Sequence, residues 1–243
     1  MLKTHFLEDQ TRFEIGVDEV GRGPMFGRVY AGAVILPLAA SDTDFNFGCL
    51  KDSKKFTSPK KLAEVAHYIM ENAVAWGVGF KDEKVIDDIN IRQATQCAMQ
   101  DAIRAVFKQQ DAKKVPHDFT PYLLVDGNGF NPMKNPYAPN RLIEFTTFVG
   151  GDNKYCSIAA ASILAKWHRD QYINDLCEKY PVLDHRYKLN SNKGYGTKAH
   201  IDGMWEYGIT QWHRRTFGMC VNAPMNEIVI NIVDDNILAQ DEN

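Results

Sequence analysis

Residues 16–24 read GVDEVGRGP, and no other stretch constrains this chain as much. Two adjacent carboxylates, Asp18 and Glu19, stand at the end of an apolar run and are followed by Gly21-Arg22-Gly23. Neighbouring carboxylates repel, so a fold that holds both in place usually supplies a cation. Glycine lets backbone approach a ligand closely, and arginine offers a planar fork suited to phosphate. The first expectation is a strand that ends at a site for metal and phosphate.

A chain of 243 residues can bury a sizeable core in one large domain, and 44% hydrophobic with 24% charged residues is the make-up of an ordinary globular protein. No apolar run reaches membrane-spanning length, and the opening MLKTHFLEDQTRFE lacks the apolar core of a secretion signal. Five scattered cysteines (Cys49, Cys97, Cys156, Cys177 and Cys220) form no CxxC pair and read as reduced thiols of a cytoplasmic protein. The net charge of −3 argues against coating nucleic acid by bulk electrostatics. That charge is uneven: residues 225–243 hold five of the 31 acids and no Lys or Arg, so the body carries a slight positive excess. Lysines crowd residues 51–61, and Lys188, Lys193, Lys198, Arg214 and Arg215 gather late. Basic patches around an acidic centre suit an enzyme acting on a polyanion, although either cluster alone reads as solvated surface.

The pattern predicts strands over 13–20, 28–37, 74–80, the run YLLVD and 141–149. Ser58-Pro59 opens a helix with Leu62, Val65, Ala66, Ile69 and Met70 on its buried face. Further helices are predicted over 91–108, 156–178 (with Ala159-Ala160-Ala161 allowing close contact with a neighbour) and 198–207. Residues 128–140, with four asparagines and three prolines, are predicted to be loop. Mixed strands and helices favour an α/β layer architecture with a mixed sheet. The expected organisation is one catalytic domain over 1–224, helical from about 175, and an acidic tail over 225–243. The INIVDDNIL stretch of that tail is read as a disordered end, with an added strand or a docking segment as alternatives.

Acids recur at strand ends: Asp18 and Glu19, Asp126 after YLLV, and Asp152 in GGD. Desolvation disfavours an idle charge in such places, so convergence on hard, oxygen-loving cations is expected. Alone, Asp18 or Asp126 would read as a turn or cap residue. Strand neighbours point to opposite faces, so Asp18 and Glu19 can share a site only where the strand ends or bends. GRGPMFG has the wrong spacing for a dinucleotide loop and precedes a strand. His168, His185, His200 and His213 lack the HxxxH spacing of a zinc helix.

In order along the chain, GVDEVGRGPMFGRVYAGAVIL, LKDSKKF, NIRQAT, LLVDGN, SIAAASILAKWHRD, NKGYGT and HRRTF resemble the blocks of the ribonuclease HII family over about residues 15–217. The resemblance implies a ribonuclease H-like fold, a mixed β-sheet flanked by helices with a small helical C-terminal extension. It implies hydrolysis of RNA in RNA–DNA hybrids and cleavage 5′ of ribonucleotides embedded in duplex DNA, leaving 5′-phosphate and 3′-hydroxyl ends. Matched by motif, Asp18, Glu19, Asp126 and Asp152 would be the catalytic, metal-binding acids. Gly21, Arg22 and Gly23 would read the ribose 2′-hydroxyl, with Tyr195 packing on that sugar. Lys54, Asn90, Ser162 and Lys193 match positions that contact the nucleic-acid backbone. Each has a local alternative: solvated lysines, a helix cap at Asn90, packing at Ser162, a core ring at Tyr195. Asp170 in WHRD reads as a structural ion pair on its helix. Gly150 stands where the family commonly has a basic residue before its fourth acid, which weakens the match of Asp152.

The expected chemistry is phosphodiester hydrolysis with two Mg²⁺ or Mn²⁺ ions roughly 4 Å apart, one activating water and the other stabilising the leaving oxygen. Specificity would rest on the 2′-hydroxyl, the group that separates RNA from DNA. The enzyme is expected to act as a monomer. Ribonuclease HIII has an extra N-terminal domain, for which a motif starting at residue 16 leaves no room. The alternative of another class is a non-catalytic hybrid-binding accessory subunit, against which four acids facing phosphate argue.

Overall fold

Gly16, Gly32, Gly77 and Gly79 are the positions at which helices press onto strands. A computed structural model describes residues 2–7, 12–38, 44–112 and 120–224. Its main sheet has five strands: β1 (Arg12–Val20), β2 (Val29–Ile35), β3 (Ala75–Lys81), β4 (Thr120–Asp126) and β7 (Glu144–Phe148), in the order β3-β2-β1-β4-β7. β1 pairs antiparallel with β2 and parallel with β4, so the sheet is mixed, as the sequence pattern predicts. β2 is buried along its whole length, which explains its continuous apolar run, and β1 is buried over Ile15–Asp18.

One face of the sheet carries α2 (Glu83–Ala112), where Ala94, Ala98, Ala102, Ile103 and Val106 meet Ile15, Val17, Ala31, Leu123 and Val125. The other face carries α3 (Cys156–Lys179) and α1 (Pro59–Asn72), packed around Val34 and the Ala159–Ala161 patch. A Cβ on Gly16 or Gly32 would fall 2.1 Å from the Ser157 carbonyl carbon or 2.3 Å from the Ala161 carbonyl oxygen. One on Gly77 or Gly79 would fall 2.3 Å from the carbonyl oxygen of Ala102 or Ala98. The strands thus approach helix backbone at distances only glycine allows. Ser58 caps α1 with Pro59 in its first turn, as read from the sequence.

A third apolar cluster joins Met25, Phe26 and Ile173 to the helical C-terminal part: α4 (Pro181–Tyr187), α5 (Leu189–Asn192) and α6 (Lys198–Tyr207). All five cysteines are free thiols. Among the described residues no helix is long and apolar enough to cross a membrane. The acidic tail, 225–243, lies outside the described residues.

Three expectations need correction. Residues 128–140 are not wholly loop: β5 (Lys134–Asn135) and β6 (Ala138–Leu142) form a small hairpin, turned by Pro136-Tyr137, with the Asn135 side chain accepting from the Tyr137 amide. The strand predicted over 141–149 divides at Ile143, because β6 pairs within that hairpin and only β7 joins the main sheet. The helix predicted over 91–108 begins earlier, at Glu83, and is interrupted at Asn90.

Candidate active site

The parallel register Gly16↔Leu124, Val17↔Val125 brings the next residues, Asp18 and Asp126, level on the α3 face of the sheet. Glu19 belongs to the opposite face. It nevertheless joins them: β1 stays paired with β2 through Val20, but its pairing with β4 stops at Val17↔Val125, so the three acids stand where β1 and β4 part. One carboxylate oxygen from each of Asp18, Glu19 and Asp126 lies within 4.8 Å of the others. Asp18 is 4% exposed, and its carboxylate accepts from the Glu19 amide at 2.6 Å. Burial, then the charges of Glu19 and Asp126, hold Asp18 well above the usual carboxylate range. Burial also raises Glu19, against the lowering effect of the Arg22 guanidinium 3.1 Å away. Carboxylates so placed favour a cation, and three oxygen donors at this spacing fit a hard divalent ion.

Asp152 is adjacent to this triad rather than part of it. It sits in the 3₁₀ turn Gly151–Asn153 after β7, buried, and the Gly151 amide donates to Asp126 at 2.6 Å. The Asn153 side-chain amide donates to Asp152 at 3.1 Å and to Asp52 at 3.2 Å. Burial, then Asp52 and Asp126, raise Asp152. Gly150, at the turn's entrance, has left-handed φ 65°, which explains a glycine there. Positive charge comes instead from Lys54: burial opposes its ionisation, but Asp152, Asp52, Asp18 and Asp126 together raise it.

Ser162, on α3, is buried, with its hydroxyl 2.9 Å from that of Ser53, and it favours the ionised form of Asp18 against the effect of burial. Asn90 takes φ 66° and accepts from the Gln93 amide, capping the second part of α2. Tyr195 is not a core ring: it is 44% exposed, and a Cβ on Gly23 would lie 3.6 Å from its Cε1. Lys193, beside it, turns its side chain to Asn174 and its carbonyl to Arg169. Asp170 pairs with Lys166, one turn away on the same helix. A polar cavity of about 370 Å³ opens from Glu19 and Asp126 toward α2, lined also by Arg22, Arg92, Gln96 and Asn128.

Sequence reasoning missed the two arginines that hold the glycine turn. Arg214 is fully buried and donates to the carbonyls of Gly27 (2.8 Å), Arg22 (3.0 Å) and Gly21 (2.6 Å). Arg169, equally buried, donates to Arg28, Lys193 and Phe26 carbonyls, and a Cβ on Gly21 would strike its Nε at 2.3 Å. Their sequence signal was the pair of blocks WHRD and HRRTF, charged residues within stretches that pack. Asp52, within LKDSKKF, was missed too. It caps the turn at Ser53–Lys55 and sits below the ordinary carboxylate range: burial raises it, but the Lys54 amide, the Asn153 side chain, the Lys54 charge and Asp152 together lower it by more.

Comparison with known proteins identifies the family and the fold. The family model described as ribonuclease HII matches residues 15–220. Ribonuclease HII of Bacteroides thetaiotaomicron is 43% identical over 213 residues, covering 88% of this chain and 93% of its own. That of Caldicellulosiruptor saccharolyticus is 38% identical, covering 89% and 92%. Among solved structures, ribonuclease H2 from Pyrococcus horikoshii aligns over 86% of this chain and 95% of its own, with TM-score 0.57 and 21% identity. Bst-RNase HIII, solved in complex with Mn²⁺, aligns over 80% and 70%, with TM-score 0.52 and 19% identity. The two solved structures share the fold.

Proposed function

The chain belongs to the ribonuclease HII family and is a ribonuclease H, and we propose that it cleaves both the RNA strand of RNA–DNA hybrids and the bond 5′ of single ribonucleotides in duplex DNA. The observation that carries this reading is the convergence of Asp18, Glu19 and Asp126 within 4.8 Å, beside a glycine turn against which Tyr195 rests. The three acids would hold Mg²⁺ or Mn²⁺, with Asp152 completing the set from the neighbouring turn; the Mn²⁺ of Bst-RNase HIII supports that choice of metals. Two such ions, when bound by these acids, would supply activation of water and neutralisation of the leaving 3′-oxygen.

The chain's own groups do the remaining work. Lys54 lies among the acids and would meet the scissile phosphate, offsetting the absence of a basic residue at Gly150. Ser162 would hold Asp18 in place from beneath. Arg214 and Arg169 take up carbonyls of residues 21–28 and 193, so the turn's conformation is set before substrate arrives. Amides of Gly21-Arg22-Gly23 would donate to the 2′-hydroxyl while the Tyr195 ring packs on the sugar. A deoxyribose would leave those polar groups unpaired, at a cost of about 1–3 kcal/mol. Lys193 and Asn90 would flank the duplex backbone on either side.

Asp126→Asn, assayed with Mg²⁺ or Mn²⁺ on a duplex containing one ribonucleotide, is expected to lose at least roughly a hundredfold in cleavage rate. Wild-type cleavage by this variant would refute the assigned site. Replacing the ribonucleotide by deoxyribose is expected to lower cutting by the wild type at least roughly tenfold; cutting at the ribonucleotide's rate would make the protein a general nuclease.

A further inference from the structure

Two imidazoles meet in the interior behind the glycine turn. His200, in the first turn of α6, and His213, from the segment after it, are 0% and 1% exposed, with their Nε2 atoms 3.1 Å apart. Among the described residues no group of potential metal ligands includes either one. Their protons can be placed from the partners at the two ends. The Thr210 amide, which can only donate, points at His213 Nδ1 from 2.9 Å. That nitrogen is therefore bare, and His213 carries its proton on Nε2. His200 Nε2 must accept that proton, so His200 carries its own on Nδ1, which donates to the Tyr195 carbonyl at 3.0 Å. The chain of bonds runs one way, from Thr210 to Tyr195, and requires both rings to be neutral. Burial favours this state, holding both imidazoles below their ordinary range, with the neighbouring His200 lowering His213 further.

The two ends of this relay lie on the two halves of the proposed ribose reader. At one end, the Tyr195 carbonyl accepts from both His200 and the Thr197 amide, so the peptide after Tyr195 is held twice. The half-exposed ring at Gly23 takes its position from that backbone. At the other end, His213 forms a β-bridge with Phe26, whose ring meets its own edge-on at 5.0 Å. The next residue, Arg214, donates to Gly21 and Arg22. We propose that His200 and His213 are a positioning pair that sets Tyr195 against the Gly21–Gly23 turn and thereby tunes recognition of the ribose. The inference rests on Tyr195 being the residue that packs on the sugar.

A double-mutant cycle tests it. His200→Phe keeps a ring but removes the donor to Tyr195. It is expected to lower kcat/KM on a single-ribonucleotide duplex roughly tenfold, mainly through KM, much as Tyr195→Ala does. In the Tyr195→Ala background the same change is expected to alter kcat/KM by less than about twofold, because its target is already gone. His200→Asn, whose amide can reach the Tyr195 carbonyl, is expected to recover most of the loss. Losses that multiply across the cycle, or that fall on kcat alone, would overturn the positioning role. Wild-type cleavage by Tyr195→Ala would instead overturn the reading of Tyr195 itself. Should His200→Phe fail to fold, His213→Gln against His213→Leu makes the same comparison: the first keeps a donor toward His200 and the second does not.

Discussion

Ionising Asp18 without a metal means placing charge beside Glu19 and Asp126 where almost no water reaches. Its raised range carries a sign: the metal-free folded state takes up protons that the unfolded state has lost, so its stability falls as pH rises above 3.8, the ordinary Asp18 value. Asp18→Asn, which removes the charge and keeps an acceptor for the Glu19 amide, is expected to stabilise the metal-free protein at pH 7.5 by about 1 kcal/mol. Thermal unfolding in a chelator measures it. Added Mg²⁺ is expected to raise the wild-type Tm and leave the variant's nearly unchanged. A variant less stable than wild type in chelator would contradict the account of this site. Among single residues, Asp18, Glu19 and Asp126 were readable from sequence because they stand at the ends of apolar runs, whereas Asp52 was not. Arg169 and Arg214 were not, because nothing local distinguishes a guanidinium that binds carbonyls from one in solvent.

Helix α2 shows how a local residue shapes an element. Asn90 holds a left-handed φ of 66° and caps the helix that follows, so the sequence-predicted start at 91 has a physical basis despite the earlier turn from Glu83. Asn90→Ala is expected to cost about 1–2 kcal/mol by urea denaturation, from the lost cap and the strained φ together. Asn90→Gly is expected to recover at least half of that, since glycine accepts the conformation and is a tolerable cap. Equal losses in the two variants would mean that neither effect operates. The hairpin of β5 and β6 was read as loop because its Asn and Pro content suits turns, and its two short strands give too little alternation to register. Helix–strand contact was legible at α3, where three alanines announce it, and the matching glycines of β1 and β2 complete it.

Across the whole molecule, the helical C-terminal part is tied to the sheet's active end through the same buried groups that hold the glycine turn. His200 and His213 lie in that junction, ringed by Tyr187 and Phe26, with Arg214 directed to carbonyls. Both imidazoles are held below 6.5, their ordinary value, so folding keeps them neutral while the unfolded chain protonates. The stability they contribute is complete above pH 6.5 and is lost as pH falls toward their folded values. Urea denaturation at pH 7.5 and pH 5 is expected to show His213→Gln losing less stability on acidification than wild type, by about 1 kcal/mol. Parallel losses in the two proteins would remove the pair as a source of acid sensitivity.

By itself the sequence determined the mixed α/β class, most element positions, the acids at strand ends and the family, because each rests on local periodicity, turn chemistry or ordered motifs. Tertiary structure decided which acids meet. Asp18 and Asp126 are level only because β1 and β4 pair in one parallel register, 108 residues apart in the chain. Glu19 joins them where the pairing of β1 with β4 ends, while Asp152 turns toward Asp52 and Asn153. The histidine pair is likewise invisible in one dimension: 13 residues of sequence separate two rings that share one hydrogen bond. Contacts of this kind depend on register and on buried polar satisfaction, which are properties of the folded chain.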